Sequence, residues 1–68
     1  MATGTVKMYR DDKGFGFFKM DDGSKDTFFH ISEFRKADLD EPSEGEKYSF
    51  DIETSDKGNK AVNIDKIW

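Results

Sequence analysis

The chain has 68 residues, one histidine, no cysteine and a formal net charge of −4. A chain this short makes one small domain, Met1 to Trp68, whose core supports only about 2–5 kcal/mol of stability. A disulfide framework and a thiolate metal site are excluded, and no apolar run approaches the ~18 residues of a membrane-spanning helix.

Taken in order, Thr5 to Tyr9 alternates branched or apolar residues with polar ones and predicts a first strand. Asp11-Asp12-Lys13 predicts a turn, and Gly14 to Met20 a second strand. Asp21-Asp22-Gly23-Ser24 is a strong turn signal, centred on Asp-Gly. Asp26 to Ile31 is rich in branched and aromatic residues and predicts a third strand. Ser32-Glu33-Phe34-Arg35 predicts one short helical turn capped by Ser32, followed by a loop from Arg35 to Gly45. Lys47 to Thr54 carries Tyr48, Phe50 and Ile52 at period two and predicts a fourth strand. Ser55 to Asn59 turns the chain into a fifth strand, Lys60 to Ile67.

Five short strands without an amphipathic helix predict an all-β domain, economically a small five-stranded antiparallel β-barrel. Curling and closing is how so small a sheet buries its edges. Gly14 and Gly16 within the second strand mark tight bending or close backbone approach. A soluble, unexported, cytoplasmic monomer is expected, the lack of cysteine fitting a reducing compartment.

The informative segment is Lys13-Gly14-Phe15-Gly16-Phe17-Phe18-Lys19. Side chains of a strand alternate between faces, so Lys13, Phe15, Phe17 and Lys19 share one face and Gly14, Gly16, Phe18 and Met20 the other. The second face is wholly non-polar and is assigned to the interior, with Phe34 and Phe50 also in the core. In the third strand the same logic turns Phe29 and Ile31 inward and Phe28 and His30 outward. Antiparallel pairing then sets Phe28 and His30 beside Phe15 and Phe17, in a platform bordered by Lys7, Lys13 and Lys19. Flat rings among cations suit an unpaired nucleotide: rings take base faces and lysines take phosphates. The acidic net charge opposes a purely electrostatic mode. Stacking, at ~1–3 kcal/mol per base, supplies affinity without a basic surface.

Lys13-Gly14-Phe15-Gly16-Phe17-Phe18 and Asp26-Thr27-Phe28-Phe29-His30-Ile31-Ser32 resemble the two RNA-binding motifs of the cold-shock domain family. Thr5-Val6-Lys7, Asp21-Asp22-Gly23-Ser24-Lys25-Asp26 and Glu44-Gly45-Glu46-Lys47-Tyr48-Ser49-Phe50 also resemble it, so the likeness runs nearly end to end. The resemblance implies an OB-fold barrel that holds single-stranded RNA or DNA and acts as an RNA chaperone, often during adaptation to cold. Carried over position by position, the ligand surface falls on Lys7, Lys13, Phe15, Phe17, Phe28 and His30, with Met8, Ile31, Leu39 and Lys57 beside them. The family usually has tryptophan at Met8 and phenylalanine at Ile31, and often an aromatic residue near Leu39. Each missing ring removes ~1–3 kcal/mol of stacking, so affinity below that of a fully aromatic member is expected. Asn59 stands where the family often has proline, and Trp68 has no counterpart there.

The same residues admit other readings. The aromatic patch also suits a protein-interaction module. An enzyme is not expected: one histidine, no cysteine and no phosphate-cradling glycine loop leave no catalytic set. No cofactor or metal is expected either, since Asp21, Asp22 and Asp26 lack the ligand alternation of a calcium loop and read as turn formers. An RNA recognition motif needs two helices and the reverse order of motifs. Asp38, Asp40, Glu41 and Glu44 form an acidic loop that repels phosphate and confines a bound strand to the lysine-bordered face.

Overall fold

A computed structural model describes residues 1–56 and 58–67. Five strands, β1 (Ala2–Arg10), β2 (Phe15–Met20), β3 (Thr27–His30), β4 (Lys47–Ser55) and β5 (Gly58–Lys66), close into a barrel in the order β1-β2-β3-β5-β4. One short helix, α1 (Ile31–Lys36), bridges β3 to the loop that leads into β4. Four junctions are antiparallel. The seam between β3 and β5 is parallel, with Phe28 opposite Lys60, because the chain crosses from β3 to β4 before β5 returns beside β3. No helix among the described residues is long and apolar enough to cross a membrane.

Two irregularities bend the sheet enough to close it. In β1, Lys7 is an extra residue: Val6 faces Phe18 and Met8 faces Phe17. In β5 the register slips between the Ser49–Asp65 and Asp51–Val62 pairs. There Asn63 takes a left-handed conformation, φ 52°, and donates from Nδ2 to Asp51 Oδ2 at 3.0 Å. An inserted residue raises local twist, which a barrel of so few strands needs.

The interior follows from alternation. Val6, Phe18, Met20, Phe29, Ile31, Phe34, Tyr48, Phe50, Ala61 and Ile64 form the core. Phe18 is its centre, with the Phe29 and Phe50 ring centroids each 4.5 Å away. Gly16 must be glycine because a Cβ there would meet the Met8 carbonyl oxygen and come within 2.5 Å of the Phe29 ring. Tyr9 lies opposite Gly16, its ring stacked near that of Phe29 with centroids 6.2 Å apart. Ile52, expected to continue the inward row of β4, is 40% exposed.

Turn chemistry sets the connections. Gly14, at φ 73°, donates to the Arg10 carbonyl at 2.8 Å and closes the β1–β2 turn. Asp22 Oδ1 accepts from the backbone N–H and the hydroxyl of Ser24, at 2.9 and 2.6 Å, before β3. Those bonds hold the Asp22 carboxyl below its ordinary value. The helix cap differs from expectation. His30, not Ser32, is the N-cap, its Nδ1 accepting the Ser32 N–H at 3.1 Å. The cap sits two residues earlier than expected, and Ile31, the first residue of the helix, lies in the core at 7% exposure.

One polar cluster fastens the far side of the barrel. Glu46 accepts from Lys66 Nζ at 2.8 Å, from the Ser43 N–H at 3.0 Å and from Tyr48 Oη at 3.2 Å. These contacts, the Lys66 bond first, hold its carboxyl below the ordinary 4.5, while burial pushes the Tyr48 hydroxyl up to about 12. A carboxyl depressed on folding contributes stability at neutral pH and loses it as pH falls below 4.5 through the folded value. Glu46→Gln is therefore expected to lower the Tm by roughly 3–8 °C at pH 7, and by progressively less below pH ~4, in thermal melts followed by circular dichroism.

Candidate nucleic-acid interface

The register between β2 and β3 builds the outer face. Phe15 lies opposite His30 and Phe17 opposite Phe28, while Gly16–Phe29 and Phe18–Thr27 face the core. The three outer phenylalanines are half-buried, yet none belongs to the core. Their ring centroids stand 5.8 Å apart for Phe15–Phe28, 5.9 Å for Phe17–Phe28 and 6.3 Å for Phe15–Phe17. Phe17 meets both neighbours edge-on, whereas Phe15 and Phe28 are tilted by only 31°. Such rings support one another and still present faces to an incoming planar group.

The bulge in β1 extends this face. Past Lys7 the alternation of β1 reverses, so Met8 stands beside Phe17 and Arg10 beside Phe15. Met8 brings a polarizable aliphatic chain where a flat ring would stack. Lys7 is exposed and ion-paired, its Nζ 2.8 Å from Asp26 Oδ2. Arg10 Nε lies 3.5 Å from Asp12 Oδ1. On the other flank Lys60, opposite Phe28 across the parallel seam, brings a cation from β5. Phe17 and Phe28 with Ser55, Gly58, Asn59 and Lys60 line a groove of about 310 Å³, enough for one planar heterocycle.

Arg10 and Lys60 are members of this face that reading the sequence does not supply. Strict alternation from Val6 turns Arg10 inward, and Lys60 reaches Phe28 only through the parallel pairing. Lys13 and Lys19 are exposed, Lys13 in the β1–β2 turn and Lys19 on the outer row of β2. His30 is half-buried, its Nδ1 held at the start of α1 by the Ser32 N–H. Ile31, which the family resemblance sets beside the ligand surface, has its side chain in the core cluster at 7% exposure. Leu39, in the 37–46 loop, packs against the core and lines a groove of about 360 Å³ with Asp38, Asp40, Glu41 and Glu46. That acidic groove shares no residue with the ring-lined one. Lys57 and Trp68 lie outside the described residues.

The arrangement offers stacking surfaces, a base-sized groove and a fringe of cations, two of which, Lys7 and Arg10, are paired with carboxylates. Among the described residues no three metal-ligating side chains group together. Comparison with known proteins is consistent along the whole chain. The profile of the 'Cold-shock' DNA-binding domain matches residues 2–67. A probable cold shock protein of Sinorhizobium fredii is 48% identical over 60 residues, covering 88% of this chain and 87% of its own. A major cold shock protein of Streptococcus pyogenes is 42% identical over 67 residues, covering 98% of both. The solved structure titled drosophila Unr CSD456 superposes with a TM-score of 0.76 at 21% identity, over 97% of this chain and 26% of that longer one. A closed five-stranded barrel, a three-phenylalanine outer face and a profile match over nearly every residue lead to one assignment: the chain belongs to the cold-shock domain family.

Proposed function

We propose that this protein binds single-stranded RNA or DNA through the Phe15, Phe17, Phe28 face and opens weak RNA secondary structure by holding its unpaired bases. The observation that carries this is three aromatic side chains adjoining one another outside a core cluster of ten hydrophobic residues among those described. A small domain seldom leaves so much ring area at its surface without a ligand to cover it. Family membership supports nucleic acid as that ligand. Lys7, Met8, Lys13 and His30 border the rings in this reading. Lys57 is assigned there by family resemblance alone.

The mechanism is passive. Bases that come unpaired stack on the rings, and mass action shifts a marginal hairpin toward its open form without ATP. Ring stacking supplies most of the affinity, because Lys7 and Arg10 already have carboxylate partners. Few counterions are then released, and log K is expected to fall with log[salt] at a slope of about −1 to −3. Titration of hexamer-length oligopyrimidine, against a duplex of matched length at two salt concentrations, checks both points. Tighter binding of the single strand with the shallow slope supports the proposal. Equal binding of the duplex, or a slope near about −6, points instead to phosphate-driven binding and overturns it.

A further inference from the structure

We propose that Asp26 sets the selectivity of the aromatic face for unpaired strands by occupying Lys7, an inference that rests on the reading of this face as a single-strand binder. Lys7 Nζ stands 2.8 Å from Asp26 Oδ2. Lys7 is the bulged residue of β1, between the Val6–Phe18 and Met8–Phe17 pairs, and Asp26 immediately precedes Thr27, which also faces Phe18. The ion pair therefore spans β2 at the level of Phe17 and Phe18. Asp26 also lines a groove of about 350 Å³ with Phe17, Lys25, Phe28, Gly58 and Asn59. A carboxylate thus stands beside the rings, where the backbone of a stacked strand would run.

Duplex and single strand feel that carboxylate differently. A duplex keeps its bases stacked and paired, so it offers this face little besides phosphates, and its affinity rests on cations. A single strand adds ring stacking, which is indifferent to the charge of Asp26. Engaging Lys7 and repelling phosphate lowers both affinities, but it takes the larger share from the duplex. Each phosphate contact also contributes a steeper salt slope in B-DNA, about 0.9, than in single strands, about 0.7. Selectivity then arises from what the site turns away as much as from what it holds.

The pair is open to solvent, with the Lys7 side chain 58% and the Asp26 side chain 35% exposed, so Asp26→Asn is expected to fold normally. The test measures hexathymidylate and a short matched-length duplex against wild type and variants, with thermal melts confirming that each is folded. Asp26→Asn is expected to tighten the duplex about five- to tenfold and the single strand about two- to threefold, steepening the salt slope by about 0.9 for the duplex and about 0.7 for the single strand. Asp65→Asn makes the same change in net charge from an exposed position of β5 opposite Ser49 and is expected to leave the ratio of affinities where it was. Adding Lys7→Gln to Asp26→Asn is expected to cancel the gain, since Asp26 acts through that lysine. An unchanged ratio in Asp26→Asn, or weaker single-strand binding, overturns the inference while leaving the proposed function standing. A wild-type protein that holds no hexathymidylate overturns both.

Discussion

Phe18→Ala is expected to leave the protein unfolded at room temperature, whereas Phe17→Ala, one residue away on the same strand, leaves it folded. Phe18 is 0% exposed and touches four other rings, with centroids at 4.5 Å to Phe29 and Phe50, 5.9 Å to Tyr48 and 6.3 Å to Phe34. Replacing it opens a void where β2, β3, β4 and α1 all converge. A buried phenylalanine truncated in this way typically costs ~3–5 kcal/mol, and a core of this size supplies only ~2–5. No disulfide stands behind it. Phe17 faces outward and, among the described residues, has only Phe15 and Phe28 as ring neighbours. Its truncation forfeits part of one side chain's burial, on the order of 1 kcal/mol. Far-UV circular dichroism with urea titration distinguishes the pair. A cooperative transition for Phe18→Ala near the wild-type midpoint contradicts the packing described above.

That contrast was legible in the sequence because a strand has period two and Lys13 to Met20 sorts its residues cleanly by polarity. The same rule turned Ile31 inward, and the structure places it there. What the sequence hid is whatever depends on register or on distant pairing. Nothing in Thr5 to Arg10 marks Lys7 as an inserted residue, yet that insertion moves Met8 and Arg10 to the outer face. A bulge relieves closure of the whole barrel, so its cause lies outside the segment that contains it. Lys60 reaches the rings only through a parallel seam between strands separated by α1, β4 and their loops. Residue type alone also could not disclose that His30 would serve as a helix cap as well as a platform neighbour.

Phe15→Ala and Phe28→Ala are each expected to weaken binding of a single-stranded hexamer by ~1–3 kcal/mol, roughly five- to 150-fold, while the barrel stays folded. Each ring offers a base one stacking partner, and neither belongs to the core cluster. The two are also coupled. Their centroids lie 5.8 Å apart with planes 31° from parallel, so each ring holds the other at its angle. Removing either one frees its neighbour to reorient, and the surviving stack is then already impaired. The double variant should therefore lose less than the sum of the single losses, with a coupling of roughly 0.5–1.5 kcal/mol. Additive losses would mean two independent base sites. An undiminished affinity in both single variants would place the ligand elsewhere on the barrel. Fluorescence anisotropy of a labelled hexamer at fixed low salt measures all four proteins of the cycle. The salt slope should change little across them, because no cation is touched, and a marked change in slope would show that the rings had been positioning lysines and not bases.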